Sequence, residues 1–265
     1  MKYKHKDNFS DEEASNFDFN EPDDENYPKS KKRLFLAIIA GIILITFVIW
    51  SFPHIGIIFS DLSFLKQNQQ LKDEEIVQNS LPSIVSIEVK GEGNINNRKG
   101  TGFNISSGGL ILTNYHVVEE SSSIKVIFPD GQYFFSDDYK QIANADIAII
   151  KLTAQGLPYL SLDLQQIIKP EDLVTVIGNP LGYKQISVQG NVGSHYKFED
   201  YQIFEIKAPI KKGSSGSPVL NSSGDVVGIV FAHGDFELDG KIEYRALAIP
   251  LKGFADEIQS AINDN

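Results

Sequence analysis

The stretch "GTGFNISSGGLILTNYHVV", residues 100–118, sets two short runs of apolar and β-branched side chains on either side of a Ser-Ser-Gly-Gly turn. Each run has the length of a strand, and the turn between them is that of an antiparallel pair. The second run ends where the chain must turn, and that turn carries His116. The texture recurs outward in "SIVSIEVK" (83–90), "IKVIFP" (124–129), "QYFF" (132–135), "DIAIIKL" (146–152), "DLVTVIG" (172–178), "QISVQG" (185–190), "YQIFEIK" (201–207), "DVVGIVFA" (225–232) and "YRALAI" (244–249). Strands this short, closely spaced and with no crossover helices between them, predict an all-β domain of antiparallel barrels or a sandwich. Only "LKGFADEIQSAI" (251–262) has helical apolar spacing, at Phe254, Ile258 and Ala261 or Ile262, and it is expected to close the domain.

The first sixty residues have another character. Residues 1–28 carry nine Asp or Glu against three Lys, with no apolar period, and read with the basic flank to residue 33 as a disordered acidic tail. "KSKKR" (29–33) then precedes a run to Ser60 whose only titratable side chain is His54. A run of that length suits a membrane anchor over 34–59, which needs about 20 apolar residues. It starts too late for a signal peptide and lacks a small-residue cleavage site. The basic cluster predicts a cytoplasmic N-terminus, with everything after Phe59 outside a cell membrane crossed once. Residues 60–78 are polar helix formers and read as a stalk, leaving 79–265 as the β domain.

Cysteine is absent, so the outer domain has no disulfide, thiolate nucleophile or cysteine metal site. The formal net charge of −11 argues against a nucleic-acid partner. No cofactor or metal motif is present.

The chemistry lies in "IKKGSSGSPVLN" (210–221), with three serines in four positions. A serine hydroxyl is a poor nucleophile until a base takes its proton, and the usual base is a histidine held by a shielded carboxylate. His116 closes an apolar strand, whereas His195 and His233 lie in glycine-containing stretches, "NVGSHYKF" and "FAHGDF", that read as loops. Asp146 stands immediately before an apolar strand, unlike Asp137 and Asp138 in a polar loop. The order His116, Asp146, Ser215 is that of chymotrypsin-type triads rather than of subtilisins or α/β-hydrolases.

On these stretches, together with "VIGNPLG", "GSSGSPVLNSSGDVVGIV" and "ALAIP", the domain resembles bacterial trypsin-like serine peptidases. Both the HtrA (Deg) group and the staphylococcal glutamyl endopeptidases and exfoliative toxins share the pattern. The resemblance implies two six-stranded antiparallel barrels of the chymotrypsin type with a C-terminal helix. It makes Ser215 the nucleophile, and the backbone N–H groups of Gly213 and Ser215 the oxyanion hole. The positions that bind an acidic side chain in the glutamyl enzymes hold Val230 and Ile210 here, which argues against cleavage after glutamate; a three-residue shift of the alignment would bring His233 there instead. Ile210 matches the apolar pocket floor of many HtrA proteases and predicts a small or aliphatic residue before the scissile bond. Phe231, Ala232 and His233 match the strand that pairs with the substrate. Digestive trypsins have an aspartate at the position of Ser214, so activation by N-terminal clipping is not expected. Too few residues follow Ser215 for the C-terminal PDZ domain common in the HtrA group.

The function this implies is a membrane-anchored serine endopeptidase acting on extracytoplasmic proteins through an acyl-enzyme, with protein or peptide substrates as partners. A protease-fold binding or signalling module that has lost hydrolysis is the alternative.

Overall fold

The computed structural model describes residues 38–39, 63–91, 98–180, 183–238 and 241–264, with the side chains at 233, 235–238 and 241–244 outside the description. The chain divides into two units, Met1–Phe59 and Ser60–Asn265. In the first, only Ile38 and Ile39 are described, both helical. The tail and nearly all of the expected anchor therefore lie outside the described residues. Among the described residues no helix is long and apolar enough to cross a membrane.

The second unit opens with helices α1 (Ser63–Leu71) and α2 (Glu75–Ser80). Seven strands follow: β1 (Ile84–Gly91), β2 (Arg98–Asn104), β3 (Leu110–Thr113), β4 (Ser121–Ile127), β5 (Tyr133–Ser136), β6 (Tyr139–Gln141) and β7 (Ala148–Lys151), with the one-turn helix α3 (Tyr115–Val118) after β3. They form an antiparallel sheet ordered β5-β4-β1-β2-β3-β7-β6. The remaining strands, β8 (Leu173–Gly178), β9 (Ile186–Phe198), β10 (Tyr201–Lys207), β11 (Pro218–Leu220), β12 (Val226–Leu238) and β13 (Lys241–Pro250), close a six-stranded barrel ordered β10-β13-β12-β11-β8-β9. Helix α4 (Ala255–Asn263) ends the domain.

The all-β class holds, and one of the two expected barrels is closed. The other half is a seven-stranded sheet whose edge strands β5 and β6 are consecutive in sequence, separated only by Asp137 and Asp138. A bent segment thus pairs first with β4 and then with β7, so the sheet curls on itself through the chain rather than through a ladder. Ser136 Oγ donates to the Lys151 carbonyl at 2.7 Å and Lys151 N–H donates to the Asp138 carbonyl at 2.9 Å, which hold the bend.

Buried apolar residues on both faces of strands such as β1 and β13 explain their continuous apolar runs. In β1, Val85, Ile87 and Val89 fill the interior of the seven-stranded sheet, while Ile84 points to the seam between the halves. In β13, Ala246 and Ala248 line the closed barrel, while Leu247 and Ile249 face the same seam. Phe103, Leu112, Ile147, Ile177 and Ile229 complete the seam, all at most 1% exposed, each contributing roughly 1.5–3 kcal/mol by burial. Ile258 of α4 packs onto it.

Part of the segment read as a stalk lies against the barrel. Phe64 and Leu71 of α1 are buried, Gln67 Nε2 donates to the Gln189 carbonyl at 2.7 Å, and Ser187 N–H donates to Asn68 Oδ1 at 2.8 Å. The helix thereby takes up main-chain groups of β9.

Candidate active site

Thr113 at the end of β3 pairs with Ala148 at the start of β7, so the ladder delivers His116 and Asp146 to one end of the sheet. His116 Nδ1 lies 2.7 Å from Asp146 Oδ2, and the His116 backbone N–H donates to Asp146 Oδ1 at 2.9 Å. Two contacts to one carboxylate fix the ring plane and leave Nε2 for another partner. The Asp146 side chain is 21% exposed and that of His116 45%, so the carboxylate is shielded while the ring remains accessible. Asn114, fully buried, donates from Nδ2 to the Asp146 carbonyl at 2.8 Å. Tyr201, at the start of β10, reaches the same aspartate from the closed barrel. Burial pushes its phenol above the ordinary range; a backbone hydrogen bond from Asp146 works the other way, and the Asp146 charge adds to the rise.

Ser215 lies in the loop between β10 and β11, within a turn that needs two glycines. Gly213 and Gly216 have φ of +97° and +83°, values costly for a residue with a Cβ. A Cβ on Gly216 would also sit 2.0 Å from the Thr101 carbonyl oxygen. Strand β2 grips the turn through one residue: Thr101 N–H donates to the Ser215 carbonyl and Thr101 Oγ1 to the Gly213 carbonyl, both at 2.9 Å. Thr101 Oγ1 also accepts from Asn179 N–H at 2.9 Å, and its carbonyl accepts from Thr113 Oγ1 at 2.8 Å.

Three N–H groups of the turn are engaged. Ser214 N–H donates to the Lys211 carbonyl at 3.1 Å, Gly216 N–H to the Val230 carbonyl at 2.9 Å, and Ser217 N–H to the Ser214 carbonyl at 2.9 Å. The N–H groups of Gly213 and Ser215 donate to no acceptor among the described residues. These two N–H groups belong to alternate residues of one tight turn. The position of Gly100 links this turn to the histidine: a Cβ there would lie 2.8 Å from Val117 Cγ1 and 3.5 Å from the Ser215 carbonyl oxygen. Among the described residues the Ser215 hydroxyl itself makes no hydrogen bond.

Ser214 and Ser217 are both buried, and the Ser217 hydroxyl finds no partner among the described residues. Ile210 and Val230 are buried in the closed-barrel core. Phe231 occupies a register shift in β12 and stacks near Phe198, with ring centroids 5.6 Å apart. Ala232 and His233 lie opposite Leu247 and Ala246 of β13; the His233 side chain is outside the described residues. Ladder pairing of β11 with β12 ends at Ile229, so the opposite edge of β12 beyond Val230 has no strand partner among the described residues.

Residues 100–229 match the trypsin-like peptidase domain. The chain carries such a peptidase domain. Among curated proteins, "Probable periplasmic serine endoprotease DegP-like" of Chlamydia pneumoniae is 38% identical over 138 residues, covering 49% of this chain and 28% of that protein. "Serine protease HTRA1" of Xenopus laevis is 33% identical over 171 residues, covering 58% and 37%. The chain thus spans well under half the length of these relatives. A solved structure of the HtrA-type protease AlgW with a tripeptide superposes with TM-score 0.59 at 25% identity, covering 71% of this chain and 62% of that one.

The peptidase domain places some residues where the sequence did not. His195 and His233, read as loop residues, lie within the 13-residue strands β9 and β12. Thr101, Asn114 and Tyr201, which hold the site in place, carried no motif of their own.

Proposed function

We propose that this protein is a serine endopeptidase. Ser215 attacks the peptide carbonyl, His116 takes the proton at Nε2 and returns it to the leaving amine, and Asp146 holds the imidazole and stabilises its charged form. Gly213 and Ser215 N–H groups receive the oxyanion. The observation that carries this reading is the pair of unused N–H donors flanking Ser214, beside a histidine fixed by two contacts to Asp146. An open contact at the Ser215 hydroxyl is the ordinary condition of a catalytic serine without substrate.

The acyl side of the substrate pairs with the free edge of β12 at Phe231–His233, and the match of Ile210 to an apolar pocket floor, with Ile210 and Val230 both packed in the barrel core, supports a small or aliphatic residue before the scissile bond. The basic flank and apolar run of residues 29–60 support a single cytoplasm-to-outside anchor, and the "periplasmic" description of relatives supports extracytoplasmic protein substrates. The test is labelling of the full chain in neutral detergent by a fluorophosphonate, beside Ser215→Ala. Labelling of the parent alone supports the reading; labelling of both puts the reactive group at another residue, and labelling of neither favours a silent binding module, and either overturns it.

A further inference from the structure

A cleft of about 530 Å³ opens beside Gly213, lined by residues of β1 and β2 and by Asn179, Tyr183 and Lys184. Lys99, Lys184 and Lys212 line it, with Glu88 as its one acidic residue. Glu88 is already committed: Lys99 Nζ contacts its carboxylate at 2.7 Å, and Lys99 and Lys125 flank it across both neighbouring strands. The hydrogen bond from Lys99 and the charges of Lys99, Lys125 and Lys184 hold its carboxyl below the ordinary range despite its partial burial. Lys184 and Lys212 form no ion pair among the described residues. In a chain of net charge −11, the cleft is a local concentration of positive charge.

Its place gives it a use. The cleft includes Gly213 and Gly100 but no residue of β12. A peptide whose acyl part lies along β12 and whose reacting carbonyl sits at Gly213 therefore leaves the site through this cleft. Resting on the peptidase reading above, we propose that Lys184 and Lys212 form a leaving-side subsite that selects carboxylate groups in the first residues after the scissile bond.

The experiment uses the full chain in neutral detergent and internally quenched peptides with one acyl sequence. Their leaving sides are Ala-Glu-Glu, Ala-Gln-Gln or Ala-Lys-Lys, each amidated; a further Ala-Gln-Gln peptide has a free carboxyl terminus. The Glu peptide is expected to show kcat/KM on the order of five-fold above the Gln peptide, with the Lys peptide lowest. Selection of the free terminus over its amide would assign the subsite to a terminal carboxylate rather than a side chain. The preference should vanish in 1 M salt, where screening acts over about 3 Å. It should shrink in Lys184→Gln and invert in Lys184→Glu/Lys212→Glu.

Equal rates on the Glu and Gln peptides, or a preference untouched by these substitutions, would overturn the subsite while leaving the peptidase reading standing. Anisotropy measurements of the same peptides on Ser215→Ala separate the converse case. Lysine-dependent binding of acidic peptides, without cleavage by the parent, would uphold the subsite and sink the peptidase reading. Absence of both cleavage and selective binding would remove the two together.

Discussion

Thr101 Oγ1 donates to the carbonyl of Gly213 across 112 positions of sequence, joining a strand of the seven-stranded sheet to the turn that holds Ser215. With the Thr101 N–H on the Ser215 carbonyl, it draws two carbonyls of that turn towards β2. The N–H groups of Gly213 and Ser215 have no acceptor among the described residues, and on the proposed reading they receive the oxyanion. Thr101→Val keeps the shape but loses the donor and strands the Asn179 N–H, an unsatisfied group costing about 1–3 kcal/mol. Fluorophosphonate labelling and kcat are expected to fall roughly ten- to a hundred-fold, below the full loss of an oxyanion donor. KM should change little, and Thr101→Ser should restore the rate. A variant that melts lower yet labels at the parent rate would reduce Thr101 to a purely structural role.

The two glycines of the turn should fail differently. Gly216→Ala drives a Cβ to 2.0 Å from a backbone oxygen, so the turn cannot form and thermal melts should show gross destabilisation. Gly213→Ala carries the strain of positive φ, about 1–2 kcal/mol, and is expected to fold while labelling slowly. Melting curves read beside labelling rates check both.

Asp146→Asn keeps a hydrogen-bonding group of the same size but offers the imidazole the wrong tautomer. A loss of about 10⁴ in kcat is expected at neutral pH. Circular dichroism should remain that of the parent, because the seam beneath is untouched. A loss below ten-fold would mean that the carboxylate does not orient the base.

Tyr201 gives a pH signature. Its folded-state pKa is raised, chiefly by burial, so the folded form keeps a proton that the unfolded form loses above about pH 10. Its contribution is therefore fully present below that pH and is lost as pH rises through the folded value. Tyr201→Phe removes the titration, and the stability difference between parent and variant should narrow as pH climbs from 9 to 11. Denaturant titrations at these pH values test it; a constant difference would remove the linkage.

Much of this was legible from local pattern. β10 covers Tyr201–Lys207, the run read from the sequence, because alternation and polar flanks mark both ends. β6 and β11 escaped notice because three residues carry no period. The run read for β9 stops at Gly190 and that for β12 at Ala232, short of the glycine-containing stretches that hold His195 and His233, yet Gly193 serves a pairing face: a Cβ there would lie 2.4 Å from Glu205 Oε2. Glycine was read as punctuation where it was clearance. His116, Asp146 and Ser215 stood out because their chemistry restricts residue type and order. Thr101 and Tyr201 did not, since many polar residue types can bond a distant backbone and only the fold says which does.

The two parts of the site have different histories in a folding chain. His116 and Asp146 are 30 positions apart within one sheet, so their contact needs that sheet alone. The Thr101 grip on Gly213 spans 112 positions and forms only when the closed barrel docks on its neighbour. Contacts so distant in sequence are slow to form. A chain with one half folded has His116 and Asp146 in contact but the Ser215 turn not yet gripped, so on the proposed reading it would stay inert towards its neighbours until the last docking step.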